Sequence, residues 1–203
     1  MYTQWIMRHL LRGFGLLDLL LSLVVISTLL TLGLPSWTDL VQQQRASASL
    51  NQLLGGLAFT RTSAIMNSTT TTFCPRAPRE DNPPAATQPQ CGERNSWDRG
   101  ALIFVDFNRN GQLDGQDTLL KQLPGWSHGA KLYWRAFRAR RFLQFNPRGH
   151  TNWQNGSFVY CPANGNLRYA RRVVLNTAGR AYRAYDTNGD GIDEGSQNRG
   201  LDC

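Results

Sequence analysis

From Phe14 to Leu34 the chain runs 21 residues with a single charge, Asp18, and then meets Pro35. No other feature so narrows what this chain can fold into. Wound as a helix at 1.5 Å per residue, the run reaches roughly 31 Å, enough to cross the hydrocarbon of a bilayer. Arg8, His9 and Arg12 stand ahead of it, and a basic flank predicts a cytoplasmic N-terminus. A secretory signal would close its apolar core with a small-residue cleavage site, and none stands near Leu34-Pro35. The helical pattern continues beyond the proline. Leu40, Val41, Ala48, Leu50, Leu53, Leu54, Leu57, Ala58 and Ile65 recur at threes and fours, as on one buried face. A charge inside a membrane span is expensive, which makes Asp18 a functional candidate.

The remainder of the 203 residues suffices for one globular head with a real core. Residues 69–96, rich in Thr and Pro and poor in aliphatics, read as a long loop. Strand candidates follow at 100–107, 130–137, 141–145, 156–162, 167–176 and 180–186, separated by turn signals such as Asn-Pro-Arg-Gly and Thr-Ala-Gly. A long helix and then a run of strands predicts an α+β fold, with the second half of the helix on an antiparallel sheet. The cysteines are Cys74, Cys91, Cys161 and Cys203, without the spacing of zinc ligands. Behind an export-like segment, an even count reads as disulfides in an oxidising compartment. Three pairings are open. The preferred one joins Cys74 to Cys91 across the Pro-rich loop and Cys161 to Cys203, tying the C-terminus to a strand.

Two loops carry oxygen ligands at calcium-like spacing. Asp106–Asp117 offers Asp106, Asn108, Asn110, Asp114 and Asp117 with Gly111 at the sharp turn. A second loop offers Asp186, Asn188, Asp190 and Asp193 or Glu194, but its twelfth position is Gln197. Clusters of Asp, Asn and Gly also serve simply as tight turns. No other cofactor is implied.

Net charge is +8, and its distribution says more than its size. Between Thr118 and Tyr185 there is no acid, while ten arginines and two lysines fall there, among them Arg138, Arg140, Arg141, Arg171, Arg172, Arg180 and Arg183. Arginine favours bidentate phosphate contact and stacking on bases, so these residues are candidates for DNA. The plainer reading is a solvated face, or contacts to acidic neighbours. An enzyme needs a constellation, and none is present. His128 and His150 have no nucleophile nearby in a recognisable motif, and no Walker or dinucleotide loop occurs.

The leader, Gly13-Phe14, Asp18 and Pro35 together resemble a type IV prepilin. ALIFVDFNRNGQLDGQDTLLKQL, FLQFNPRGHTNWQNGSFVYCP and ARRVVLNTAGRAYR resemble the GspH/FimT group of minor pilins and pseudopilins. That resemblance implies a leader at 1–13 and a transmembrane helix half at 14–37. It implies a periplasmic head at 38–203 that later enters an extracellular pilus. A prepilin peptidase would cut after Gly13 and N-methylate Phe14. Asp18 becomes the fifth residue, where the family normally has glutamate; aspartate keeps the charge and is shorter by one methylene. The implied function is non-enzymatic: priming and assembly of a pilus, at or near its tip, alongside other minor pilins and the major pilin. Two alternatives share these motifs, a DNA-binding pilin for transformation and a minor pseudopilin of a type II secretion system. Some FimT-type pilins bind DNA through Gly-Arg-x-Arg. Here the segment is Gly179-Arg180-Ala181-Tyr182-Arg183, and the extra residue predicts opposite faces for the two arginines.

Overall fold

In a computed structural model, residues 15–78, 88–94, 97–126, 129–136, 141–189, 192–194, 201 and 203 are described, with backbone only for 32–36. The chain divides into two units, residues 1–42 and 43–203. Helix α1 (Leu16–Met66) supplies the described part of the first and opens the second.

In the first unit the apolar side chains point to solvent. Leu16 is 80 % exposed, and even Val25 is 49 % exposed, so the described residues of this unit form no core. Hydroxyls scattered through the run are satisfied locally: Ser22 donates to the Leu19 carbonyl, Ser27 to Val24, Thr28 to Val24 and Val25, and Thr31 to Thr28. No helix among the described residues is long and apolar enough to cross a membrane. The expected span of 14–34 depends on Phe14 and on the side chains of 32–34, which lie outside that description.

In the second unit α1 buries Ala46, Leu50, Leu53, Leu57 and Ala64, with Ser49, Thr60 and Ser63 between them. This stripe corrects the expected face. Ala48, Ala58 and Ile65 are exposed and Leu54 is half-buried, because at 100° per residue they lie off the line through 50, 53 and 57. Small residues on the buried stripe let the helix come close. A Cβ at Gly56 would stand 2.5 Å from Leu123 Cδ1 and 3.2 Å from the Phe73 ring. Thr60 donates its buried hydroxyl to the Gly56 carbonyl at 2.7 Å, so this close approach leaves no orphan there.

Among the described residues eight strands form two antiparallel sheets. They are β1 (Thr71–Pro75), β2 (Ala101–Val105), β3 (Thr118–Leu123), β4 (Lys131–Ala136), β5 (Leu143–Phe145), β6 (Gly156–Cys161), β7 (Arg171–Leu175) and β8 (Ala181–Arg183). One sheet has the order β3-β2-β1-β5 and the other β4-β6-β7-β8. The start of the supposed loop at 69–96 is therefore a strand at the centre of a sheet. Every residue of β1 is buried, with Thr71 opposite Val105 on one side and Phe145 on the other. Threonine is β-branched and suits a pleated interior strand even where aliphatics are few. β3 was likewise absent from the sequence reading: its pattern is mostly exposed, as at an open edge. Between the sheets Phe73 stacks on Trp97 at 5.6 Å, and Phe158 meets Trp97 and Trp134 edge-on or tilted at 5.0 and 4.6 Å.

If β1 is an interior strand, Phe73→Ala should lower the unfolding free energy by about 3–5 kcal/mol. Gln90→Ala, beyond that strand on an exposed residue, should change it by less than about 0.5 kcal/mol. Urea denaturation of the two variants separates a strand from a loop.

Candidate functional site

Asp18 lies in the first turn of α1, where the Gly15 N–H donates to its Oδ2 at 3.3 Å. A carboxylate there complements the positive end of the helix dipole. Its neighbours in the turn, Leu16, Leu17 and Leu19, are all more than half exposed. Gly13 and Phe14 lie outside the described residues.

The cysteines pair as preferred. Cys74 joins Cys91, and Cys161 joins Cys203, leaving no free thiol. The first bond leads from interior strand β1 into the Pro-rich segment. The second returns the C-terminus to β6, where Leu201 packs with Val159, Cys161 and Ala170.

Asp106 follows β2 directly and is fully buried. Its two oxygens accept from the Thr72 hydroxyl at 2.7 Å, the Gly111 N–H at 2.9 Å, the Gln144 amide at 3.0 Å and the Asn110 N–H at 3.2 Å. The same Gln144 amide donates to the Arg109 carbonyl at 3.1 Å. Asp114 Oδ2 accepts from the Asn108 and Asn110 side chains, and Asp117 accepts from the N–H groups of Phe107 and Asp114. The Gln116 N–H, then the Asn108 and Asn110 amides, hold Asp114 below the ordinary carboxylate range. Burial pushes Asp117 up, against those backbone donors. A calcium ion would have to displace donors from both Asp106 oxygens, so this set does not fit an ion as it stands. The loop is closed by its own hydrogen bonds. The second candidate loop includes Asp190, which lies outside the described residues.

The arginine window has no acid in sequence, but acids from outside it reach its arginines in space. Asp193 is buried at the edge of the second sheet, 3.7 Å from Arg183 Nε, and accepts the Arg172 N–H at 3.3 Å. Arg171 donates to the Arg168 and Ala170 carbonyls, both at 2.8 Å. Burial lowers the Arg171 pKa, with Asp193 opposing, and burial raises Asp193, with Arg183 and Arg171 opposing. Two of the arginines singled out for DNA, Arg171 and Arg183, are therefore engaged by the protein itself. Arg141 stands 3.8 Å from Glu93 at the surface, a pair worth little. Arg180 sits in the β7–β8 turn, exposed, its N–H given to Asn176 Oδ1 at 2.9 Å. Arg138 and Arg140 lie outside the described residues.

Residues 49–179, more than half the chain, match the family described as "Type II transport protein GspH". The chain belongs to the GspH family. The matched region runs from the second half of α1 to the turn before β8, so Asp193 and Cys203 fall beyond it. No curated protein matches the sequence significantly. The type IV minor pilin FimU of Pseudomonas aeruginosa (strain PAO1), in space group P21, superposes with a TM-score of 0.50 at 17 % identity, covering 73 % of this chain and 92 % of that one. In space group P65 the same protein gives 0.49 at 16 % identity, covering 68 % and 92 %. The minor pseudopilin EpsH of the Vibrio cholerae Type 2 Secretion System gives 0.45 at 12 % identity, covering 68 % and 95 %. The FimU likeness in P21 carries the fold: an α+β pilin fold with its N-terminal helix packed on antiparallel sheet.

Two outcomes follow from these networks. Gly111 has φ +74°, and a Cβ there would run into the Phe142 ring. Gly111→Ala should cost about 1–3 kcal/mol, part of it recovered in Gly111→Ala/Phe142→Ala. For Asp193 the folded pKa exceeds the unfolded one, so the native state holds its proton more tightly. Stability through this group therefore falls as pH rises through the interval between the two values. Asp193→Asn should flatten that limb of the curve, which lies above the ordinary aspartate value of about 3.9. Parallel curves for wild type and variant would mean that burial does not perturb this carboxyl.

Proposed function

We propose that this chain is a minor pilin that primes and assembles a type IV pilus, at or near its tip. One observation carries this reading: a lone carboxylate held in the first turn of a helix whose described apolar side chains, from Leu16 to Leu30, are all exposed. Such a helix needs an apolar surrounding, first the inner membrane and then the packed helices of other subunits. The locally satisfied hydroxyls of Ser22, Ser27, Thr28 and Thr31 support both settings, because neither offers water to bond them.

Asp18 would pair with the N-terminal amine of a neighbouring subunit. In lipid an unpaired acid at a helix centre costs about 3 kcal/mol or more, so pairing selects one helix register. The amine is exposed only after a prepilin peptidase removes residues 1–13 and methylates Phe14. Partners are then the major pilin and other minor pilins, with the head in the periplasm before assembly. No catalytic role is assigned to the chain. The family description favours a second reading, a minor pseudopilin of a type II secretion system, in which Asp18 does the same work. DNA uptake through Arg180 and Arg183 has less support, since Arg183 lies beside Asp193.

Asp18→Ala should leave leader cleavage intact and reduce incorporation into filaments by tenfold or more, the factor that about 1.4 kcal/mol represents. Immunoblots of sheared filaments against membranes read this directly. Normal incorporation would sink the pairing. Gly13→Leu should leave the leader uncut, and a cleaved product from that variant would remove the prepilin assignment.

A further inference from the structure

Two consecutive acids in the loop after β8 are held by different parts of the head. Asp193 belongs to the sheet: its Oδ2 accepts the Arg172 N–H at 3.3 Å and stands 3.7 Å from Arg183 Nε. Glu194 belongs to the loop that it closes. Its Oε2 accepts the Thr187 N–H at 2.6 Å, and its own N–H reaches the Tyr185 carbonyl at 3.3 Å. The Glu194 carboxylate is thereby seated on the peptide that joins Asp186 to Thr187. Asp186 folds over the same turn, its Oδ1 accepting the Gly189 N–H at 2.6 Å.

Glu194 is only 7 % exposed, and its second oxygen, Oε1, is buried with no hydrogen-bond partner among the described residues. Nor does any Lys, Arg or His among them stand within ion-pair distance of it. The two oxygens share one carbon, so Oε1 is held at the same turn as Oε2. A buried carboxylate oxygen with neither donor nor cation is costly, and something must complete it. Counted from Asp186, the oxygen-bearing side chains of Asp186, Asn188 and Glu194 stand first, third and ninth, as in an acidic calcium loop. Asp190, the fifth, lies outside the described residues. Where that template has an apolar eighth residue, this chain has Asp193. Ile192 takes over the apolar anchoring, packed against Val159, Cys161, Ala170 and Leu201, which frees Asp193 for the arginines.

We propose that this loop binds a calcium ion, with Glu194 Oε1 as its buried ligand and Asp186 and Asn188 as further oxygen ligands. The contrast with Asp106 is direct: there both carboxylate oxygens already have donors, and here one has none. Calcium accepts about six to eight oxygens in flexible geometry, whereas magnesium demands a near-ideal octahedron and keeps its waters. A loop of mixed carboxylate and amide oxygens therefore favours calcium. The ion would neutralise Glu194 and join the start of the loop to its end. The segment that runs on to Cys203 would then be fixed at Glu194 as well as by its disulfide. The site lies wholly within the head and does not depend on the filament reading.

The test uses the full chain in detergent, stripped with a chelator and titrated with calcium chloride in a calorimeter. One ion should bind per chain, with a Kd of about 10⁻⁴–10⁻³ M, the range of extracellular calcium modules. Calcium should also raise the melting temperature more than magnesium does at equal ionic strength. Glu194→Gln keeps the shape of the side chain and removes its charge, and should weaken calcium binding at least tenfold. Asp114→Asn, in the loop whose acids are already bonded, should change it less than twofold. Circular dichroism checks that each variant is folded, and Asp186→Asn reads the same site if Glu194→Gln is not. No calcium binding by the wild type well above that range would overturn the proposal, whatever the variants do. So would undiminished binding in Glu194→Gln, or magnesium binding as tightly as calcium, which would reduce the effect to general screening. Loss confined to Asp114→Asn would place the ion at the Asp106 loop and equally overturn it.

Discussion

Phe73 is the residue on which the head's other contacts converge. It is the middle residue of β1, an interior strand of the first sheet. Its ring stacks on Trp97 and meets Phe158 of the second sheet edge-on at 6.4 Å. Helix α1 comes down on the same ring at Gly56, where a side chain would leave no room. Two sheets, a helix and a connecting turn are thus tied through one aromatic group. Its own strand is anchored next door by the Cys74–Cys91 bond, which restrains the long excursion that follows.

Polar groups buried beside this core decide which loops are rigid. Gln144 joins loops distant in sequence: its N–H donates to Gln154 Oε1, its carbonyl accepts from Asn152, and its amide reaches Asp106 and Arg109. Arg109 and Trp153, both non-glycine residues at positive φ, flank these bonds. Such a backbone costs of order 1–3 kcal/mol per residue and persists where neighbours over-determine it. The network around Gln144 does that, and it also closes the edge of β5 against stray pairing. A sheet edge left open there would lie next to the exposed indole of Trp153.

How much of this was legible depended on whether local pattern or tertiary contact set each feature. The helix, its start near Asp18 and most of the later strands follow from period and turn chemistry, which act within a few residues. β1 did not, because a run of threonines before Phe-Cys-Pro looks polar by composition and becomes interior only through partners 26 to 74 residues away. The calcium-like spacing at Asp106 was equally local. What settles that carboxylate is Thr72 of β1 and Gln144 of β5, beyond the reach of local pattern. The arginine-rich window is likewise a local feature. Absence of acid along the chain says nothing of Asp193, which returns to pair with Arg183.

The distribution of apolar surface within each unit completes the physical picture. In the described part of residues 43–203 most of the large apolar side chains face inward, and two disulfides tie the chain. In the described part of residues 1–42 the large side chains face outward. A typical leucine stabilises by about 1.5–3 kcal/mol when buried, so this helix retains a large unmet drive toward apolar contact. Within that run the one group that resists burial is Asp18. Its capping bond to Gly15 is weak at 3.3 Å and leaves most of its acceptor capacity open. Burial of the leucines and neutralisation of the acid therefore have to occur together. A cation at the end of a packed apolar helix is the partner chemistry that satisfies both.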